Sequence, residues 1–132
     1  MITAVDSSVL IAIVAGEADA ADWVHVLAKA RADGALVCCD VVYAEVGAGL
    51  VSQAELDRVL TALGVQFDSL QEKASWQAGD IFRLYRQQGG PRQHLIPDFL
   101  VGSHAQAQAD RLAAKDRGYL RRYFPSLTLL QP

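Results

Sequence analysis

Short apolar runs that end at a polar residue alternate with helical patterns, and this alternation constrains the fold more than any other feature of the chain. The runs at residues 2–5 and 35–39 each end at an aspartate, and residues 65–67, 111–114 and 127–130 are further candidate strands. Strands separated by helices imply right-handed crossovers and a mainly parallel sheet covered on both faces. The sequence therefore predicts an α/β fold with a central sheet of four or five strands.

The segments between these runs have the apolar spacing of helices. They cover residues 7–14, 18–31, 41–51 and 71–88, a helix from Ser52 that Gly64 closes, and a helix from Pro97 through about residue 109. On the helix at 71–88 we expect Trp76 and Leu84 to lie on or near the buried stripe. Core packing is the first interpretation of Trp23 and Trp76, and a groove for a partner helix is the alternative.

Length and composition set the class of protein. The chain has 132 residues, of which 52% are hydrophobic and 20% charged, so it predicts a single domain over residues 1–132 with a buried core. We find no apolar run long enough to span a membrane and no signal peptide at the start. The adjacent Cys38 and Cys39 are interpreted as core residues of a reduced, cytoplasmic protein.

The charge balance argues against a broad nucleic-acid footprint. Lysine and arginine total 12, aspartate and glutamate total 15, and the formal net charge is −3. A protein of this charge that binds nucleic acid must do so locally, with something to offset phosphate repulsion. The positions of the carboxylates therefore matter more than their number.

Four acids have positions that suggest chemistry, although each also has an ordinary structural role available. Asp6 is a candidate helix N-cap, Glu45 an exposed helix residue, Asp98 a first-turn acid, and Asp116 a loop acid beside Lys115. Taken together, Asp6, Asp98 and Asp116 follow strands or begin helices, which in this layout places them at one rim of the sheet. Glu45 can project toward that rim from the helix after the second strand. In doubly wound sheets the functional groups lie outside the carboxyl ends of the strands.

Carboxylates held close together repel one another unless a cation neutralises them. Ligands that are all oxygen favour Mg²⁺ or Mn²⁺, and His25, His94 and His104 are too scattered to compete for that role. Such a site suits hydrolysis of phosphodiester bonds. The bound cation would also neutralise the acids, so that a polyanion can approach.

Four segments carry a resemblance to a known family. They are VDSSVLIAIV from Val5, VVYAEVGAGL from Val41, LIPDFLVGSHA from Leu95, and RLAAKDRGYLRRYFPSLTLL from Arg111. In order and spacing the chain resembles the PIN-domain family from end to end, specifically the VapC-type toxins of bacterial toxin–antitoxin pairs.

The resemblance implies a PIN-like three-layer α/β/α sandwich and a toxin that is a Mg²⁺- or Mn²⁺-dependent endoribonuclease. Such toxins cut structured RNA, often transfer RNA, and are blocked by an antitoxin, commonly as homodimers within a hetero-oligomer. The family acids carry over to Asp6, Glu45, Asp98 and Asp116. Asp6 and Asp98 would be the direct metal ligands, and the other two would complete the site.

Further residues are candidates for contact with the substrate. The hydroxyl of Ser7 or Ser8 would bond a ligand carboxylate or the phosphate. A basic cluster near Asp116 and the loop before Asp98 would contact RNA phosphates, with a solvated surface as the alternative; these residues are Arg92, His94, Lys115, Arg117, Arg121 and Arg122. His104 is expected to pack or to hydrogen-bond rather than to bind metal.

Two other functions remain as alternatives. Family members often carry Thr or Ser shortly before the last acid, where this chain has Ala113, Ala114 and Lys115. That departure, with the acidic charge balance, leaves a catalytically silent PIN-like module that binds protein or RNA. A phosphoacceptor receiver domain is disfavoured because only the single Asp6 follows the first strand.

Overall fold

The computed structural model describes residues 1–115 and 118–132. Its elements are β1 (Thr3–Val5), α1 (Ser7–Ala15), α2 (Ala20–Ala32), β2 (Leu36–Cys38), α3 (Asp40–Gly47), α4 (Gln53–Leu63), β3 (Val65–Phe67), α5 (Glu72–Gln87), α6 (Ile96–Gln108), β4 (Arg111–Ala113), α7 (Tyr119–Tyr123) and β5 (Thr128–Leu130). Within these residues, no helix combines the length and apolar character needed to cross a membrane. The strands and the six longer helices match the predicted segments to within a few residues.

The five strands form one parallel sheet in the order β3-β2-β1-β4-β5. The central strand β1 pairs with β2 on one side and with β4 on the other, where Val5 lies opposite Ala113. The chain first moves outward through β2 and β3 and then crosses back to β4. The boundary between β1 and β4 is therefore the topological switch point, where α/β folds open a crevice for ligands.

Helices cover both faces of the sheet because the direction of travel reverses after β3. Right-handed crossovers place α1–α4 on one face and α5–α7 on the other. Packing agrees with this division, since α1 contacts α2 and α3 while α5 packs along α6. On the second face, Phe99 of α6 contacts aromatic rings of α5, of α7 and of the residue that caps α7; these are Phe82, Tyr85, Tyr119, Tyr123 and Phe124. The predicted three-layer α/β fold is confirmed.

The two cysteines are buried in the core, as the sequence predicts. Cys38 and Cys39 are both free thiols at the end of β2. Burial, assisted by the neighbouring Cys39 and Asp40, raises the pKa of the Cys38 thiol to about 12. Thiols that stay protonated at neutral pH are poor nucleophiles and metal ligands, so these residues act as small apolar side chains.

The two tryptophans have different environments, and the prediction for one of them is wrong. Trp23 is buried, and its Nε1 donates to Asp19 Oδ2 at 3.1 Å. Trp76 is 68% exposed, and Leu84 on the same helix is 45% exposed. Helix α5 buries the face of Ala74, Ala78 and Tyr85. A residue two positions after Ala74 points to the opposite side of a helix, which is why Trp76 faces outward.

Two glycines inside helices give a matched test of this packing. An added Cβ at Gly102 of α6 would come within 2.6 Å of Phe124 Cε2, whereas one at Gly79 of α5 meets no atom within 4 Å. Alanine is favoured over glycine in helices by about 1 kcal/mol, whereas overpacking costs about 1–3 kcal/mol. We expect Gly79→Ala to raise the free energy of unfolding in urea and Gly102→Ala to lower it. Equal effects would contradict the packing of α7 against α6.

Candidate active site

Asp6 lies directly at the switch point of the sheet. Its backbone N–H donates to Ala113 O at 2.9 Å, which continues the pairing of β1 with β4 by one residue. The residue is also the N-cap of α1, and its Oδ2 accepts from the Ser8 N–H at 3.3 Å and from Ser8 Oγ at 2.6 Å. Its side chain is held where the strand ends, and the residue is 8% exposed. The capping role and the position at the rim are therefore compatible.

The Ser8 hydroxyl connects two parts of the site. It donates to Asp6 Oδ2 and accepts from the Lys115 N–H at 3.3 Å. A single side chain thus joins the carboxylate after β1 to the segment that follows β4. Of the two serines that the sequence offered, Ser8 is the one that contacts Asp6.

Glu45 is brought to the same rim by the other serine. Ser7 Oγ donates to Glu45 Oε1 at 3.1 Å, which links the first turn of α1 to α3. Glu45 itself is exposed, which agrees with its ordinary role as a residue on the outer face of a helix. Because Ser7 directly follows Asp6, this contact places the Glu45 carboxylate near the end of β1, as the sequence predicts.

Asp98 is the third residue of α6 and accepts a hydrogen bond within its own first turn. Its Oδ2 accepts from the Leu95 N–H at 3.1 Å, and His94 Nδ1 lies 3.7 Å from the same oxygen. Helix α6 packs against both β1 and α3, the elements that precede Asp6 and carry Glu45. Three of the four predicted acids therefore belong to elements that contact one another at this end of the sheet.

His94 does not meet the expectation that it contacts RNA at the surface. It is 8% exposed, and its ring centroid lies 4.3 Å from that of Tyr119 and 6.0 Å edge-on from that of Tyr85. Among the described residues, its Nδ1 is a buried polar atom without a hydrogen-bond partner. The His94 ring packs within the aromatic cluster on the second face of the sheet. His94 therefore supports the loop before Asp98 from the protein interior.

The strand-end acid Asp40 has a structural role that the sequence analysis did not consider. Its Oδ1 accepts from the Leu70 N–H at 2.6 Å and its Oδ2 from Ser69 Oγ at 3.0 Å. Burial opposes ionisation of Asp40, but these hydrogen bonds outweigh it and hold the pKa of the carboxyl below its usual value. Asp40 therefore fastens the loop after β3 to the start of α3.

Hydrogen bonds also join the loop after β3 to α6. The buried His104 shares a hydrogen bond of 2.9 Å between its Nε2 and Asp68 Oδ2, and Gln108 Nε2 donates to the same oxygen at 3.0 Å. The prediction that His104 hydrogen-bonds is confirmed by this contact. Asp6 and Asp40 both follow a buried apolar run. The sequence alone therefore does not separate the structural role of Asp40 from the proposed chemical role of Asp6.

The predicted basic residues that the structure describes have separate environments. Lys115 Nζ lies 3.1 Å from Asp19 Oδ2 and 3.2 Å from Glu17 Oε1, and hydrogen bonds to these carboxylates raise its pKa. Arg121 Nη2 donates to Gln131 Oε1 at 3.5 Å. Arg92 is exposed in the loop before Asp98. Asp116 and Arg117 lie outside the described residues.

The donor set fits a hard divalent cation better than a soft one. Across residues 1–115 and 118–132, no three His, Cys, Asp or Glu side chains are grouped closely enough to hold a metal ion. Mg²⁺, however, usually takes only one or two carboxylates and completes its shell with waters and substrate phosphates. The carboxylate oxygens of Asp6 and Asp98 are donors of this kind.

Comparison with known proteins identifies the family. Residues 3–125 match the family model of the PIN domain. The chain belongs to the PIN-domain family. The PIN domain is 34% identical over 133 residues to Ribonuclease VapC10 from two strains of Mycobacterium tuberculosis, CDC 1551 / Oshkosh and ATCC 25618 / H37Rv, covering 97% of this chain and 90% of each relative. The resemblance noted in the sequence is confirmed.

Two solved structures share the fold of this PIN domain. One is VapBC2 from Rickettsia felis bound to a DNA fragment from its promoter, with a TM-score of 0.70, 19% identity, and coverage of 98% of this chain and 97% of that one. The other is VapBC-1 from nontypeable Haemophilus influenzae, with a TM-score of 0.71, 18% identity, and coverage of 99% and 98%. At these identities the likeness supports the fold of the PIN domain.

The two serines of the site allow a matched prediction. Ser8→Ala removes a hydroxyl that bonds a carboxylate and a backbone N–H, whereas Ser7→Ala removes one exposed hydrogen bond to Glu45. Both changes alter helix propensity equally, so the difference between them reports the hydroxyl contacts. We expect Ser8→Ala to lower the free energy of unfolding by about 1–2 kcal/mol more than Ser7→Ala. Indistinguishable urea midpoints would contradict the proposed link between β1 and β4.

Proposed function

We propose that this PIN domain is the toxin of a toxin–antitoxin pair and a metal-dependent endoribonuclease that hydrolyses phosphodiester bonds in RNA. The observation that carries the proposal is the position of Asp6 at the β1/β4 switch point. Glu45 and Asp98 lie on elements packed beside it. The name of the relative from Mycobacterium tuberculosis, Ribonuclease VapC10, supports the same chemistry.

Asp6 and Asp98 are the proposed ligands of Mg²⁺ or Mn²⁺, and Glu45 and Asp116 are proposed to complete the four-carboxylate site. When bound, such an ion lowers the pKa of a coordinated water and stabilises negative charge that develops on the phosphate. Neutralisation of the acids would also remove the repulsion that an RNA phosphate meets at this rim. The net charge of −3 is therefore compatible with a polyanionic substrate.

The protein's own contribution is to orient the two proposed ligand carboxylates at helix N-termini. Asp6 caps α1 and Asp98 lies in the first turn of α6, and the partial positive charge of a helix N-terminus favours carboxylate anions there. Ser8 and the Leu95 N–H each bond one carboxylate oxygen and restrict its rotation.

The substrate and partners are proposed in the same way. Structured RNA such as transfer RNA is the proposed substrate, with phosphate contacts from Ser7, Arg92, Lys115, Arg117 and Arg121. A cognate antitoxin is the proposed inhibitor, since the two solved structures compared above are VapBC assemblies. We also propose a homodimer within the toxin–antitoxin complex, a cytoplasmic location, and a single folded unit over residues 1–132.

The proposal is tested by conservative changes of the ligand acids. We expect purified protein with Mg²⁺ or Mn²⁺ to cut RNA, and a chelator to stop it. Asp6→Asn and Asp98→Asn should each lower the cleavage rate by at least about 100-fold. Both variants should fold, because asparagine is as good an N-cap as aspartate and retains an oxygen acceptor for the Leu95 N–H.

The matched control is Asp22→Asn, which changes an exposed acid in the first turn of α2. This variant should cleave RNA at the rate of the unmodified protein, with the same thermal unfolding midpoint as the two site variants. Full activity in Asp6→Asn or in Asp98→Asn would refute the assignment of the site.

A further inference from the structure

We propose that α5 and the loop before Asp98 form an RNA-binding groove that holds single-stranded nucleotides next to the cleavage site. This inference rests on the proposed function and adds to it a specific path for the substrate. The groove is made of two adjoining depressions, of about 500 Å³ and about 280 Å³. It is referred to below as the arginine groove.

Two residues of α5 join the depressions. Phe82 and Arg86 line both of them, and the first is completed by Gly79, Arg83 and Gln87. The second is lined further by Tyr85 and by the loop residues Gly90, Pro91, Arg92 and Leu95, while the buried His94 packs behind this loop. A continuous surface therefore extends along α5 and ends at the loop that precedes Asp98 of the candidate active site.

Aromatic rings form the floor of the arginine groove. The Phe82 ring lies 5.1 Å from Phe99 and 6.2 Å from Tyr85, so packing fixes its position. The Arg86 guanidinium lies above it, 5.8 Å from the ring centroid. Fixed rings and stacked guanidinium groups are the surfaces on which unpaired RNA bases stack, and they tolerate any base.

The groove is basic although the chain as a whole is acidic. Arg83, Arg86 and Arg92 line it, and Arg83 is paired with Asp80. Among the described residues, Arg86 and Arg92 form no ion pair. Arginines without carboxylate partners that line a concave surface favour an occupant with phosphate groups.

The groove ends beside the proposed metal ligand. The Leu95 N–H donates to Asp98 Oδ2, and His94 Nδ1 lies 3.7 Å from that oxygen. A strand bound along α5 would thus have its next phosphate within reach of the carboxylate rim. This juxtaposition of an arginine groove with the Asp98 loop is what favours RNA over a protein partner as its occupant.

The test measures RNA binding separately from cleavage. Fluorescence anisotropy would follow a labelled single-stranded RNA of about 20 random nucleotides on the Asp6→Asn protein, which is expected to bind without cutting. Arg86→Ala and Arg92→Ala should each weaken binding about fivefold and reduce the slope of log K against log salt by about 0.7. Arg58→Ala, at an exposed arginine of α4 outside the groove, should change neither value.

Gly79 provides a second pair of variants that does not remove any native contact. An added Cβ there meets open space, so Gly79→Glu places a carboxylate in the groove without disturbing the packing. We expect Gly79→Glu to weaken RNA binding by about tenfold through repulsion of phosphate. Gly79→Ala should bind RNA as the parent protein does, which separates the effect of charge from that of size.

The outcomes distinguish this inference from the proposed function. Unchanged RNA affinity in Arg86→Ala, Arg92→Ala and Gly79→Glu would overturn the arginine groove while leaving a cleaving enzyme intact. If the unmodified protein does not cleave RNA in the presence of Mg²⁺ or Mn²⁺, the proposed function is wrong, even if the groove binds RNA. If Gly79→Glu instead converts a dimer to a monomer in light scattering with RNA affinity unchanged, the surface binds a second copy of the chain and the inference is wrong.

Discussion

The bond network that joins the end of β1 to the segment after β4 is the constraint on which the site depends. Asp6 N–H donates to Ala113 O, and Ser8 connects the Asp6 carboxylate to the Lys115 backbone. These contacts close the switch point of the sheet, where the crossovers leave and return on opposite faces. The proposed metal ligand Asp6 is therefore held by contacts between β1 and the segment after β4, the two strands that define the switch point, and not by an exposed loop.

The alternation of strands and helices predicts the fold because β1 and β2 are short, fully buried apolar runs, and an aspartate follows each of them where its helix begins. The positions of Asp6 and Asp98 are predictable for the same reason, since strand ends and first helical turns are local features of the sequence. The orientation of a helix about its axis is not local, which explains the error at Trp76. The burial of His94 is not local either, because Tyr85 and Tyr119 enclose it from distant elements.

Charge explains how an acidic chain would act on a polyanion. Three of the acids, Asp6, Glu45 and Asp98, lie on elements that meet at the carboxyl ends of the strands, where a divalent cation would offset their charge. Arg86 of α5 and Arg92 of the loop before Asp98 line the groove beside them. Lys115, by contrast, is held by Glu17 and Asp19 and contributes to the stability of the α1–α2 turn. A basic groove beside the proposed metal site would suit an enzyme with few targets, whose affinity for other nucleic acids falls steeply with salt.

The central claim is that the rim at Asp6 binds a divalent cation, and anomalous diffraction from crystals soaked in Mn²⁺ tests it most directly. The account predicts an anomalous peak within coordination distance, about 2.0–2.2 Å, of carboxylate oxygens from both Asp6 and Asp98. The peak should be absent from crystals of Asp6→Asn. A peak on other residues, or none in crystals that diffract well and hold millimolar Mn²⁺, would contradict the account.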